Sequence, residues 1–175
     1  MNIIILGKTN VGKTPFTELL QNEMLKTLPK DKINIISASK WVKNIYNRPE
    51  NLTKEEYVKD ISAFSIRMLK DNQDLDYNAI YNSLRWTGIN IIDGIRNPYT
   101  FNRIFNPNED KVLIINKIND IREFSSFDKG VDVIQYNINW LISVGLMEMS
   151  NLKTINYLEN IEAEFNIKDI VGEIL

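Results

Sequence analysis

The sequence predicts an α/β fold, a three-layer sandwich with helices on both faces of a central parallel sheet. Three observations predict it. Short Ile-rich runs recur at residues 2–6, 33–36, 89–92 and 112–115. Runs of that length suit strands covered on both faces, the usual condition of a parallel sheet. Between them lie segments with apolar residues at helical spacing. Strands alternating with helices are what a β–α–β crossover requires. At 175 residues the chain suits one domain over 1–175, since roughly 100–200 residues per domain is the norm.

Each element has its own warrant. Residues 2–6 form the first strand. A helix is expected from about 13 to 28, with Phe16, Leu19, Leu20, Met24 and Leu25 on one face and Pro29 as its stop. Residues 33–36 make a second strand, and 37–43 lead into a short helix. The pattern breaks around Arg48-Pro49-Glu50. Thr53 with Glu56 is a capping-box signature, so a helix should run over 54–71. Another covers about 76–86 and stops at Gly88. The strand at 89–92 delivers Asp93 at its carboxyl end, and 112–115 is a further strand. Residues 131–134 are expected to be the last one. Helices should follow at about 138–148 and 154–165, with a short one near the C-terminus. The stretch 38–88 therefore reads as a helical insertion.

Composition narrows the chemistry. The chain has no histidine and no cysteine. That removes Ser-His-Asp triads, Cys nucleophiles, His acid–base catalysis and Cys/His zinc sites. A net charge of −2 provides no global basic field for nucleic acid, although a local groove would suffice. No segment reaches the ~18 apolar residues of a membrane span, and the apolar N-terminus is too short for a signal-peptide core. The expected location is the cytoplasm.

The strongest motif follows the first strand. Gly7-Lys8-Thr9-Asn10-Val11-Gly12-Lys13-Thr14 fits G-x-x-x-x-G-K-[ST] at every fixed position, between a buried strand and a helix. Glycines let backbone N–H groups wrap a phosphate, and the helix N-terminus adds a favourable dipole. Lys13 would reach the β- and γ-phosphates of ATP, and the Thr14 hydroxyl would ligate Mg²⁺. Pro15 departs from the usual pattern, because it lacks the N–H that would face the α-phosphate. Its effect should be a weakened grip rather than a lost site.

Other candidates are less local. Asp93 suits holding Mg²⁺ or accepting a proton from an acceptor hydroxyl; the alternative is an ordinary turn aspartate in Asp-Gly. Arg96 suits bidentate binding of a phosphate, or else a surface salt bridge. Lys40 and Trp41 follow the second strand, where open α/β sheets admit ligands. Trp41 would stack on a base or pack in the core. The run Asn97-Pro98-Tyr99-Thr100-Phe101-Asn102-Arg103 mixes aromatics with arginine, as nucleotide-stacking surfaces do. Phe101 and Phe105, four residues apart, are better read as core. The stretch from Asn137, with Trp140, Leu141, Leu146 and Met147, reads as packing helices, with a homodimer contact as one candidate use.

Two families share the motif. Asn10-Val11-Gly12-Lys13-Thr14 resembles the loop of translation-factor-type GTPases, and Asn116-Lys117-Ile118-Asn119-Asp120 nearly matches N-K-x-D. The acid is displaced by one position, however, and no D-x-x-G follows the second strand. Ser37-Ala38-Ser39-Lys40 and Asp93-Gly94-Ile95-Arg96, with Arg67 on the intervening helix, resemble the deoxynucleoside monophosphate kinases. These belong to the P-loop nucleoside and nucleotide kinase branch, which includes viral members acting on 5-hydroxymethyluracil in DNA. The resemblance covers roughly residues 1–136. It implies ATP as donor with Mg²⁺, and a nucleotide-like acceptor, free or in DNA, contacted by Lys40, Trp41, Arg67 and Arg96. It also implies a lid at about 117–130 closing Arg122 over ATP. For a viral protein the cytoplasm would be the host's.

Overall fold

The computed structural model describes residues 1–120 and 128–175. Arg122 and the middle of the expected lid, residues 121–127, lie outside the described residues. The strands are β1 (Asn2–Leu6), β2 (Ile33–Ser37), β3 (Ile89–Asp93), β4 (Lys111–Lys117) and β5 (Leu152–Tyr157). The helices are α1 (Lys13–Met24), α2 (Lys40–Ile45), α3 (Lys54–Asp71), α4 (Leu75–Tyr81), α5 (Pro98–Ile104), α6 (Lys129–Ser143), α7 (Ile161–Glu164) and α8 (Ile167–Ile174). The strands form one parallel sheet in the order β2-β3-β1-β4-β5. The α/β sandwich expected from the sequence is the observed fold.

β1 is central, and its side chains alternate between two cores. Ile3 and Ile5 join Phe16, Leu20 and Met24 of α1 and Ile170 and Ile174 of α8 on one face. Ile4 and Leu6 join Phe101 of α5 and Ile134 and Ile138 of α6 on the other. A strand covered on both faces has no position for a polar residue, which is why its apolar run is unbroken. Asparagines lie in register at the other end of the sheet. Asn34 donates to Asn90, and Asn90 donates to Asn2 and to the Arg85 carbonyl, at 2.9–3.1 Å. These bonds satisfy the polar residues that interrupt the Ile runs of β2 and β3.

Two expectations need correction. Residues 131–134 are the opening turns of α6, not a strand. Val131, Ile134 and Ile138 are buried at helical spacing while Val133 is half exposed, so the β-branched Val-Asp-Val-Ile run imitates a strand only over four residues. Conversely, the helix expected over 154–165 begins as β5, which runs to Tyr157, and only Ile161–Glu164 of it is helical, as α7. Ile155 and Tyr157 are buried and Thr154 and Asn156 exposed, the period of two found in an edge strand. The helix expected at 76–86 is shorter, and Thr53 and Glu56 form the expected capping box ahead of α3.

The layout fixes where a ligand fits. α1, which follows β1, packs on one face of the sheet, whereas α5, which follows the adjacent β3, packs on the other. Between two such strands the connections diverge and leave a crevice at the carboxyl ends. Ile5 and Ser37 both pair with Asp93 there.

Candidate active site

The phosphate-binding loop is shaped by its own backbone. Gly12, immediately before α1, has φ +73°, a conformation that costs an L side chain roughly 1–2 kcal/mol. A Cβ on Gly7 would come within 2.7 Å of the Ile115 carbonyl oxygen and 2.8 Å of Val11 Cγ2, so only glycine lets the loop leave β1 beside β4. Val11 is buried and anchors the loop, while Lys8 pairs with Asp132 at 3.4 Å. The buried Lys13 ammonium donates to the Gly7 and Lys8 carbonyls at 2.8 and 2.7 Å. It is thus held across the loop's concave side, where a phosphate would meet it.

Thr14 joins this loop to the strand end. Its hydroxyl donates to Asp93 Oδ2 at 3.2 Å. The other carboxylate oxygen, Oδ1, is buried with no hydrogen-bond partner among the described residues. A hydroxyl oxygen beside a carboxylate with an unused buried oxygen is a donor set that fits Mg²⁺ or its bound water.

Behind them lies a buried group that the sequence analysis missed. Asp128, 2% exposed, accepts from the backbone N–H and hydroxyl of Thr9, both at 2.9 Å, and lies 3.7 Å from Arg96 Nε. It therefore couples the phosphate loop to Arg96. Gly130 makes this possible, because a Cβ there would lie 1.8 Å from the Arg96 carbonyl oxygen. Burial pulls the Arg96 guanidinium below its ordinary pKa, opposed by Asp128, Asp93 and Asp76. An arginine keeps its charge through such a shift.

Loop and strand end open into a cavity of about 620 Å³ whose opposite wall is built by α2, α3 and the start of α4. Trp41 lines it, as expected, and its indole N–H donates to Asp76. Asp76 is a second residue the sequence analysis missed. It is 8% exposed, and burial pushes its pKa up to about 6 against the hydrogen bonds from Trp41 and Asn97 and the charge of Arg96. Tyr57, Ser62 and Ser65 of α3 face the same space. Thr9, Asn10, Gly12, Lys13, Thr14, Asp93 and Arg96 all line it, so the fold brings most of the expected residues together.

Lys40 and Arg67 stand apart. Both are exposed and neither lines the cavity. Arg67 follows Ser65 by two residues, about 200° around α3, so it turns away from the wall. On α2 it is Lys43, not Lys40, that reaches the cavity. The aromatic–arginine run on α5 is engaged with α4. Arg103 lies 3.6 Å from the Tyr77 ring centroid, and Arg103 and Tyr99 both donate to Asp74. Phe101 and Phe105 stack at 4.8 Å, with Phe101 fully buried, as the core reading expected.

No sequence signal marks Asp76 or Asp128. Each bonds a partner far off in the chain, Trp41 at 35 residues from Asp76 and Thr9 at 119 from Asp128.

No helix among the described residues is long and apolar enough to cross a membrane. No protein-family model matches the chain, and no curated protein matches its sequence. In solved structures the chain is similar to thymidylate kinase from Ehrlichia chaffeensis, at 13% identity over 98% of this chain and 94% of that one, with a TM-score of 0.47. It is also similar to shikimate kinase from Bacteroides thetaiotaomicron, at 13% identity over 99% of this chain and 96% of that one, with a TM-score of 0.45.

Proposed function

We propose that the protein is a P-loop kinase that transfers the γ-phosphate of ATP to a nucleotide-type acceptor. One observation carries the reading: Lys13, Thr14 and Asp93 open into the same cavity as the aromatic and hydroxyl-bearing wall of α2 and α3. In this reading residues 1–175 are one catalytic domain, with 38–88 as the acceptor-binding part.

Phosphoryl transfer is mostly positioning and charge neutralisation. The amides of the loop Gly7–Thr14 and the Lys13 ammonium would hold the β- and γ-phosphates. Thr14 and Asp93 would hold Mg²⁺, which when bound neutralises charge on the phosphates. Arg96, paired with Asp128, would meet the transferring group. Asp93 or Asp76 would accept a proton where the acceptor is a hydroxyl. Without histidine or cysteine, a carboxylate is the suitable base.

A GTPase switch is less well supported. The place for a D-x-x-G loop is occupied by α3, and Asn116 donates its amide to Asn156 at 3.3 Å.

The test follows label from γ-labelled ATP, with Mg²⁺, into free deoxynucleosides, their 5′-monophosphates and DNA containing hydroxymethyluracil. Acceptor-dependent transfer that disappears in Lys13→Ala is the expected result. Hydrolysis confined to GTP without an acceptor would favour the switch, and nucleotide binding without turnover would favour a binding module.

A further inference from the structure

We infer that the acceptor presents an uncharged hydroxyl on a flat, nucleoside-like ring, and that Asp76 receives this hydroxyl in place of any acceptor phosphate. The inference rests on the kinase reading above and narrows its acceptor class.

The donor fixes where the reacting atom sits. A γ-phosphate held by Lys13 and Thr14 lies next to Asp93, so the acceptor's reacting group must lie there too. A phosphate monoester would bring one or two further negative charges into that space. Asp93 and Asp76 both line it; Mg²⁺ held at Asp93 would offset the first charge and leave that of Asp76 toward the acceptor. The cation behind them, Arg96, is opposed by three carboxylates: Asp128, Asp93 and Asp76. What field it keeps would go to the transferring phosphoryl group, with little left for a second phosphate on the acceptor. The other two cations of the wall, Lys43 and Lys54, are exposed side chains of α2 and the first turn of α3. An exposed ammonium is screened by water and gives a bound anion little.

The rest of the wall suits a neutral polar ring. Ser37, Ser39 and Ser65 offer hydroxyls that both donate and accept, while Ser62, which donates to the Val58 carbonyl at 2.6 Å, offers an acceptor. Trp41 spends its N–H on Asp76, so what its indole adds to the cavity lining is apolar, as Tyr57 of the same lining also does with its ring. Asp76 is acceptor-only when ionised, and Trp41 and Asn97 hold it from the protein side. A ligand hydroxyl can donate a further hydrogen bond to this carboxylate; a phosphate supplies only repulsion.

The transfer balances. The acceptor oxygen bonds to the γ-phosphorus as the bond from that phosphorus to the bridging oxygen breaks. The electron pair leaves with ADP, and the hydroxyl proton passes to Asp76 and then to water.

The experiment compares kcat/KM for free deoxynucleosides, the matching 5′-monophosphates, and an oligonucleotide bearing hydroxymethyluracil, in the parent and in Asp76→Asn. ADP binding and melting temperature are measured on the same samples. An uncharged hydroxyl should be used at least tenfold better than the monophosphate. Whether the better acceptor is free or within the strand identifies its source, and either supports the inference. Asp76→Asn should lower kcat/KM for that acceptor a hundredfold or more, with ADP affinity and melting temperature not reduced. Equal or better use of monophosphates overturns the inference and leaves the kinase reading intact. So does an Asp76→Asn variant as active as the parent. ADP binding through Lys13 with none of the acceptors used overturns the inference and favours the binding module over the kinase. Loss of Lys13-dependent nucleotide binding brings down both.

Discussion

The two sides of the cavity are built in opposite ways. The side proposed to hold the donor is eight consecutive residues held by main-chain geometry: a left-handed Gly12, a Gly7 that admits no Cβ, and a lysine bonded to carbonyls five and six residues back. The acceptor side is assembled from side chains far apart in sequence, such as Trp41 with Asp76 and Arg96 with Asp128. A site made of local backbone tolerates change in the rest of the chain and keeps its chemistry. A site made of distant side chains is tuned by single substitutions. Donor-side variants should therefore behave as on–off changes, and acceptor-side variants should alter stability and selectivity.

Removing the charge at the centre of the loop should have the largest effect. Lys13→Ala takes away the one buried cation of the donor side, and loss of such preorganised charge commonly costs about 10³-fold or more in turnover. Circular dichroism should show the fold retained. Turnover within tenfold of the parent would remove the donor side from the mechanism.

Asp128→Asn tests the link between the two sides. The amide oxygen can still accept from Thr9, but the ionic partner of Arg96 is lost. With Asp93 and Asp76 still nearby, the expected cost is about 3 kcal/mol of stability, at the lower end for breaking a buried pair. Turnover should also fall, because Arg96 loses its hold. Denaturant unfolding and turnover on one preparation read both; unchanged values would mean that loop and arginine are independent.

This contrast also explains what was legible in the sequence. The loop could be read because its spacing is its mechanism, and the buried strands because burial on both faces leaves an apolar run. The errors fell where one face is open. β5 is an edge strand with alternating polar residues, and the start of α6 carries β-branched residues that the helical spacing overrules. Arg96 and Trp41 were legible as cavity residues because each follows a strand end. Asp76 and Asp128 were not, since an acid's role depends on what burial and folding bring to it. Arg67 is on the expected helix, but the side of α3 that faces the cavity is set by packing.

Asp76 should reveal itself through pH. Its pKa in the folded chain is raised to about 6 by burial, above that of an unfolded aspartate. A raised pKa means that this group's contribution to stability is full below the unfolded value and is lost as pH rises through about 6. Above that, ionised Asp76 opposes folding by at most about 3 kcal/mol. Asp76→Asn should therefore be more stable than the parent at pH 7–8, by up to about 3 kcal/mol, with the gain vanishing near pH 4. Urea unfolding across this range measures it. A gain that does not vary with pH would mean that the carboxylate is not what the fold resists.

The smallest effect belongs to Pro15, the one place where the donor side is not held by its backbone. The first bond of α1 runs from Phe16 N–H to the Gly12 carbonyl at 3.1 Å. Positions before Phe16 therefore direct their N–H groups toward the loop, as the opening turn of a helix does. Proline supplies none at position 15. Pro15→Ala restores one donor toward the α-phosphate, and one hydrogen bond is worth about 1 kcal/mol, or roughly fivefold in affinity. Calorimetric titration with ADP should show tighter binding by about that factor. The same change loosens the unfolded chain, so melting should fall slightly, by the equivalent of about 0.4–1 kcal/mol. Tighter ADP binding in a slightly less stable protein is the paired signature of a missing amide. Unchanged or weaker binding would mean that the α-phosphate is held without position 15, and the donor side would then be as complete as its motif.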